Sequence, residues 1–177
     1  MILLLLAAAV TDSSVTAVTA QYDHLCVHSG PTAAAILGTA DREGWSSTMV
    51  RAPKDFDPAH KRWKQAVDGP VVLSAYQNSA GGDVIVSCGI AVSAARPRLD
   101  AAVGAMTGVT PAVTFPNAST RLTIRANGRW RDPAAMPRAD FAAAKAAGEV
   151  YSIMTTTAPD RAALFSLNIL PAATAMP

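Results

Sequence analysis

The stretch VVLSAYQNSAGGDVIVSCGIAV, residues 71–92, decides the fold class of this 177-residue chain. Residues 71–77 and 83–92 are rich in apolar side chains, and the Asn, Ser and Gly residues between them, at 78–82, are typical of a hairpin loop. Along the second run, apolar side chains alternate and share a face with Cys88, which predicts that Cys88 points into the core. The chain therefore contains an antiparallel hairpin with one buried face.

Patterns on either side of this hairpin predict the remaining elements. Apolar residues recur at helical spacing in three segments, at residues 31–42, 97–107 and 138–147. Further strand-like runs occupy residues 62–67, 119–126, 149–157 and 161–170. Strands joined by short turns, with helices between them, predict an α+β domain. We expect a largely antiparallel sheet of five or six strands with about three helices packed on it.

The N-terminus predicts an export signal over residues 1–20. Residues 2–10 form an unbroken apolar run, and nine helical residues span roughly 14 Å, about half the hydrocarbon core of a membrane. The run is too short for an integral membrane span but matches the apolar region of a secretory signal. Small residues then precede Gln21, so we expect cleavage after about Ala20, with Ala17 as the second choice.

Cleavage at that position leaves a single domain at residues 21–177, whose tail we expect to fray after residue 171. One feature departs from the usual signal, because no Lys or Arg lies between Met1 and the apolar run at 2–10. The alternative is that residues 2–10 form a buried strand or helix of a cytosolic domain. With export, the expected location is the bacterial periplasm or the medium outside the cell.

The two cysteines of the chain, Cys26 and Cys88, form an even count. In an exported protein this predicts a disulfide, since the destination is oxidising. The bridge closes a loop of about 60 residues, for which the chain-entropy model gives about 4 kcal/mol of stabilisation. The competing interpretation is two free thiols, one of them a nucleophile.

Charge and missing motifs argue against several classes of function. The formal net charge is +2 and rises by one if Asp12 is removed with the signal. Nucleic-acid binding needs clustered Lys and Arg on one face, so we expect no nucleic-acid partner. The chain has no G-x-S-x-G elbow and no glycine-rich phosphate loop between a strand and a helix. The sequence therefore predicts no cofactor, no catalytic residue and a protein without catalysis.

The predicted ligand surface consists of Arg121, Arg125, Arg129 and Trp130. Alternation along the strand at 119–126 predicts that Arg121 and Arg125 face outward, about 13 Å apart, while Leu122 and Ile124 face inward. Two such arginines are suited to a carboxylate or phosphate ligand. The alternative is an ordinary polar sheet face.

Two further clusters define the alternatives. Asp23, His24, Cys26 and His28 carry ligand-type side chains close together, and His24 and His28 offer nitrogen donors to zinc or copper. No second ligand cluster follows downstream, so no metal site is predicted and surface histidines beside a disulfide are favoured. A hydrolase would have to assemble its site from dispersed residues such as His60 with Asp57 or Asp55.

The basic stretch at residues 60–64 fits the solvated face of an edge strand, where lysine discourages unwanted pairing. The sequence as a whole favours a small exported accessory or binding module. Its partner would be another protein or a small anionic ligand. The two alternatives are an exported hydrolase and a metal-binding protein, and no pattern indicates an oligomeric state.

Overall fold

The structure is a computed structural model that describes residues 15–49, 52–67, 69–93 and 98–171. The apolar run at 2–10 and the tail after 171 lie outside these residues, as does the predicted start of the helix at 97. None of the helices in the described part of the chain is long and apolar enough to cross a membrane.

The described residues build one antiparallel sheet of eight strands. The strands are β1 (Lys61–Ala66), β2 (Gly69–Ala80), β3 (Asp83–Val92), β4 (Val113–Phe115), β5 (Ala118–Ala126), β6 (Arg129–Arg131), β7 (Val150–Ala158) and β8 (Arg161–Pro171). Their order in the sheet is β1-β2-β3-β8-β7-β5-β4. Strand β4 pairs with the start of β5, and β6 pairs with its end. The α+β class and the antiparallel sheet are confirmed. The strands exceed five or six because β4 and β6 have three residues each, too few to produce an alternating pattern.

Four α-helices lie in the described residues. They are residues 15–22 (α1), Ala33–Arg42 (α2), Leu99–Thr107 (α3) and Arg138–Ala146 (α4). Helix α1 runs directly into a π-helical turn at Asp23–Val27. The N-cap of α2 is Thr32, whose hydroxyl accepts the Ala35 N–H at 3.1 Å. After α2, Trp45 is buried, and its backbone N–H donates to the Ala40 carbonyl at 3.0 Å.

The two faces of the sheet are covered differently. One row of opposite residues crosses the sheet from Ala75 through Cys88, Ser166 and Ile153 to Arg121, and all five are buried. The main core lies on this face, with buried side chains from α1, α2 and α3. On the opposite face, α4 forms a smaller core with buried residues Ile124, Ala144 and Val150.

The predicted orientation of β5 is wrong in part. Arg121 is only 2% exposed and Thr123 is fully buried, whereas Leu122 is 39% exposed. Ile124 is buried as expected, although it packs in the smaller core. The physical reason is that α3 lies over the arginine face, with Gly104 beside the Arg121 guanidinium. Alternation separates the two faces of a strand, but it does not say which face a helix will cover.

Candidate ligand-binding site

A disulfide between Cys26 and Cys88 fixes the end of the first helix to the sheet. The Sγ atoms are bonded at 1.99 Å, and the two Cα atoms lie 5.5 Å apart. The bridge joins the π-helical turn after α1 to the centre of β3. The predicted pairing is confirmed, and the described residues contain no free cysteine that could serve as a nucleophile.

Arg125, on β5, makes a second connection to the same turn. Its Nη1 donates to Asp23 Oδ1 at 3.0 Å, and its Nη2 donates to His28 Nε2 at 2.8 Å. His28 Nδ1 in turn donates to the Asp23 carbonyl at 2.8 Å, which leaves Nε2 as the acceptor of the neutral ring. The wider π-helical turn brings Asp23 and His28, five residues apart, to the same side of the helix end.

Trp130 covers the Arg125 guanidinium from the neighbouring strand. The two residues are directly opposite each other across β5 and β6, and the Arg125 Cζ lies 5.0 Å from the indole centroid. The two-residue turn between these strands has positive φ at Asn127 (51°) and Gly128 (75°), the geometry of a tight hairpin. The edge of Trp130 also meets Tyr151 at 5.5 Å between ring centroids. Trp130 therefore contacts the cation without neutralising its charge.

These residues border a shallow pocket of about 370 Å³, here called the Arg125 pocket. Its lining comprises Thr16, Thr19, Ala20, Asp23, Met106, Arg125, Gly128 and Trp130. A guanidinium has five N–H donors, and the protein uses two of those on Arg125. The other three have no acceptor among the described residues. The pocket thus combines spare cationic donors with the apolar surfaces of Trp130 and Met106.

Asp23 is the carboxylate that offsets the charge of Arg125. Burial raises the pKa of Tyr151, and the nearby Arg125 opposes this shift. Burial also raises the pKa of Tyr22, an effect that Ser166 offsets in part. Both phenols therefore stay neutral at physiological pH. The ion pair of Asp23 and Arg125 therefore provides the charged groups that line the pocket.

Arg121, on the same strand, is used in a different way. Its Nη1 donates to Asp100 Oδ1 at 2.5 Å and to Ser119 Oγ at 2.9 Å. Its Nη2 donates to the Asp100 carbonyl at 3.1 Å, and its Nε donates to the Val109 carbonyl at 3.0 Å. The hydroxyls of Ser119 and Thr155 also donate to Asp100 Oδ1. We call Asp100, Ser119, Arg121 and Thr155 the Arg121 cluster.

The Arg121 cluster shifts the ionisation of its carboxyl group. The Arg121 hydrogen bond is the main cause that lowers the pKa of Asp100 from 3.8 to about 2, and the burial of the carboxyl opposes the shift. The two hydroxyl donors add to the lowering. The cluster joins the start of α3 to β5 and β7, and its arginine has little capacity left for a ligand.

Of the four residues in the predicted ligand surface, the structure brings Arg125 and Trp130 together. Arg121 belongs to its own buried cluster, and Arg129 is exposed on β6 and does not line the Arg125 pocket. The sequence interpretation missed Asp23 and His28 as partners of Arg125. They lie about a hundred residues away along the chain, and the local pattern indicated surface residues beside a disulfide, with metal ligation as the alternative.

The two histidines of that pattern serve separate partners. His24 Nε2 pairs with Glu43 Oε1 at 2.5 Å, while His28 contacts Asp23 and Arg125. Within the described ranges, no three His, Cys, Asp or Glu side chains are grouped so that they could hold a metal ion.

The structure places His60 near Asp57, one of the two aspartates named with it as a dispersed hydrolase site. Its Nε2 is 3.9 Å from Asp57 Oδ2, and its ring stacks on Tyr76 at 4.7 Å. Asp55 pairs with Lys61 at 3.3 Å rather than with His60. The basic stretch forms β1, which is an edge strand, and its Arg62 is paired with Asp41 at 2.5 Å.

No protein family, curated protein or solved structure matches this chain.

Proposed function

We propose that this chain is an exported, non-catalytic binding module that holds a small organic carboxylate in the Arg125 pocket. The observation that carries the proposal is the state of Arg125. Arg125 lines a pocket of about 370 Å³, and three of its five N–H donors have no acceptor among the described residues. An arginine fork recognises a carboxylate with two parallel hydrogen bonds.

The remaining walls indicate the rest of the ligand. Trp130 and Met106 offer apolar surface beside Arg125, which is the polar group of the pocket that faces a ligand. Small-molecule sites usually combine apolar walls with a few polar groups that orient the ligand. A carboxylate with a compact aromatic or aliphatic body fits both features, and an inorganic anion would leave the apolar surface unused.

The contacts within the pocket favour binding over hydrolysis. Both ring nitrogens of His28 are engaged, one with Asp23 and one with Arg125. Thr19 donates its hydroxyl hydrogen to backbone carbonyls of its own helix, so its oxygen is not activated by a base. A bound carboxylate would therefore be held without being cleaved.

Export is supported by the disulfide and the apolar run. A bridge between Cys26 and Cys88 persists where thiols are oxidised, which favours the periplasm or the extracellular medium over the cytosol. The apolar run at 2–10 would direct the chain there.

The test is calorimetric titration of the folded, oxidised protein with benzoate and with benzamide, its neutral counterpart of the same shape. We expect saturable binding of benzoate and much weaker binding of benzamide, because the charge-assisted bonds need the carboxylate. Arg125→Gln should weaken benzoate binding at least tenfold, which corresponds to about 1.4 kcal/mol.

The matched control is Arg129→Gln, which removes an exposed arginine of the adjoining hairpin and should leave the affinity unchanged. Circular dichroism before each titration confirms that both variants are folded. The proposal is rejected if benzoate shows no saturable binding, or if Arg129→Gln weakens it as much as Arg125→Gln.

A further inference from the structure

We infer that the working domain keeps helix α1, and that any processing cut falls before Val15 rather than after Ala20. The observation is the burial of the helix. Val15 is 6% exposed, Val18 is 4% exposed and Thr19 is 8% exposed, and Tyr22 is completely buried. All four lie before the disulfide in sequence.

The spacing of these residues is that of a helix packed on a core. Val15, Val18, Tyr22 and Leu25 recur at intervals of three and four residues, and the series ends at buried Cys26. Thr16, Ala17 and Ala20 are exposed between them. The apolar members belong to the same core as Leu99 and Val103 of α3. A segment that is removed with the signal would not need this spacing of buried residues, because it does not remain to pack against the domain.

A cut after Ala20 would divide this helix. Processing is hydrolysis: water adds across one peptide bond, which gives the leader a carboxyl terminus and the domain a new amino terminus. At that position Val15, Val18 and Thr19 leave the core, and Gln21 and Tyr22 alone would remain of α1 before the π-helical turn. Two residues are too few to close a helical turn.

The sequence also supplies small residues further upstream. Thr11 and Ser13 occupy alternate positions directly after the apolar run, so a cut after Ser13 would leave that run whole in the leader. A cut before Val15 leaves the whole buried series of α1 in the domain.

Helix α1 is also a wall of the Arg125 pocket, through Thr16, Thr19 and Ala20. Retention therefore preserves the pocket, although the inference itself stands on burial and not on ligand binding. The two proposals fail separately, because the N-terminus of the protein and its affinity for benzoate are independent measurements.

The first experiment determines the N-terminus of the full chain after expression in an exporting bacterium. The protein is purified through a C-terminal tag, and intact mass and N-terminal sequencing are recorded on the folded, oxidised material. We expect an N-terminus at or before Val15. A folded protein that begins at Val18 or Gln21 would overturn the inference.

The second experiment compares Val18→Ser with Ala17→Ser, a buried and an exposed position of the same helix. We expect Val18→Ser to lower the thermal midpoint by about 5 °C, because it removes a buried apolar group from a domain of this size. Ala17→Ser should change it by less than about 2 °C. Equal midpoints for the two variants would show that α1 is not part of the folded domain.

Discussion

Arg121 and Arg125 lie four residues apart on one face of β5, yet the protein uses them differently. Arg121 is buried under α3, and four of its N–H groups reach Asp100, Ser119 and Val109. Arg125 lies near the end of α1, donates two N–H groups to Asp23 and His28, and lines a pocket. The same side chain on the same strand face is structural in one place and available in the other.

The difference comes from the helices above the strand. A fully buried charge is tolerated only when it is paired and hydrogen-bonded. The start of α3 supplies the carboxylate and the carbonyl of Asp100 to Arg121, and Ser119 of β5 supplies a hydroxyl. Near Arg125, helix α1 has ended in a π-helical turn. The residues there offer Arg125 one carboxylate, from Asp23, and one ring nitrogen, from His28. Unused N–H donors beside a pocket therefore distinguish Arg125 from Arg121, and the proposed binding role rests on this difference.

The largest expected effect comes from removing the disulfide. The Cys26→Ala, Cys88→Ala double variant should lose about 4 kcal/mol of unfolding free energy, since the bridge closes a long loop. Urea denaturation measures this loss. Amide exchange should accelerate more strongly in the turn Asp23–Val27 than in β7 beside Arg121. Equal acceleration in both regions would break the proposed contrast.

The next effect compares the two arginines directly. Arg121→Met should cost about 3 kcal/mol, because it leaves the Asp100 carboxylate without its partner in a partly buried site. Arg125→Met should cost about 1 kcal/mol, since Asp23 and His28 are close to solvent. Midpoints from chemical denaturation decide between them. A loss for Arg125→Met that matches or exceeds that for Arg121→Met would contradict the division of roles.

Acid should act on the Arg121 cluster. The pKa of Asp100 is about 2 in the folded protein and 3.8 as a free side chain, so the folded state binds fewer protons between these values. The stability from this group is present above pH 3.8 and is lost as the pH falls through 2. We therefore expect unfolding free energy to fall more steeply below pH 4 in the wild type than in Asp100→Asn. Parallel curves would contradict this assignment.

The smallest expected effect concerns the contact between Arg125 and Trp130. A double-mutant cycle of Arg125→Met and Trp130→Leu should give a coupling energy of about 0.5–1 kcal/mol, the range expected for a cation over an indole near the surface. Thermal or urea unfolding of the four proteins measures it. A coupling of zero would mean that Trp130 does not hold the guanidinium in place.

Much of the sheet could be predicted from the sequence, but little of the Arg125 pocket could. Alternation and turn residues predicted the hairpin of β2 and β3, and with it the buried Cys88. The orientation of Arg121 was beyond the same reasoning, because α3 and α4 decide which face of β5 is covered. The contact between Asp23 and Arg125 spans 102 residues and has no local signal. Long-range pairing of polar groups is set by tertiary packing, which a periodic pattern does not encode.

The disulfide has a further consequence for the order in which the domain assembles. Before oxidation, the ion pair of Asp23 and Arg125 must close a chain of 102 residues. Once Cys26 is joined to Cys88, the shortest path between the two charges falls to about 40 residues, which reduces the entropic cost of closure by about 0.8 kcal/mol. Oxidation thus makes a distant contact more local, so the Arg125 pocket should form more readily after the thiols have been oxidised.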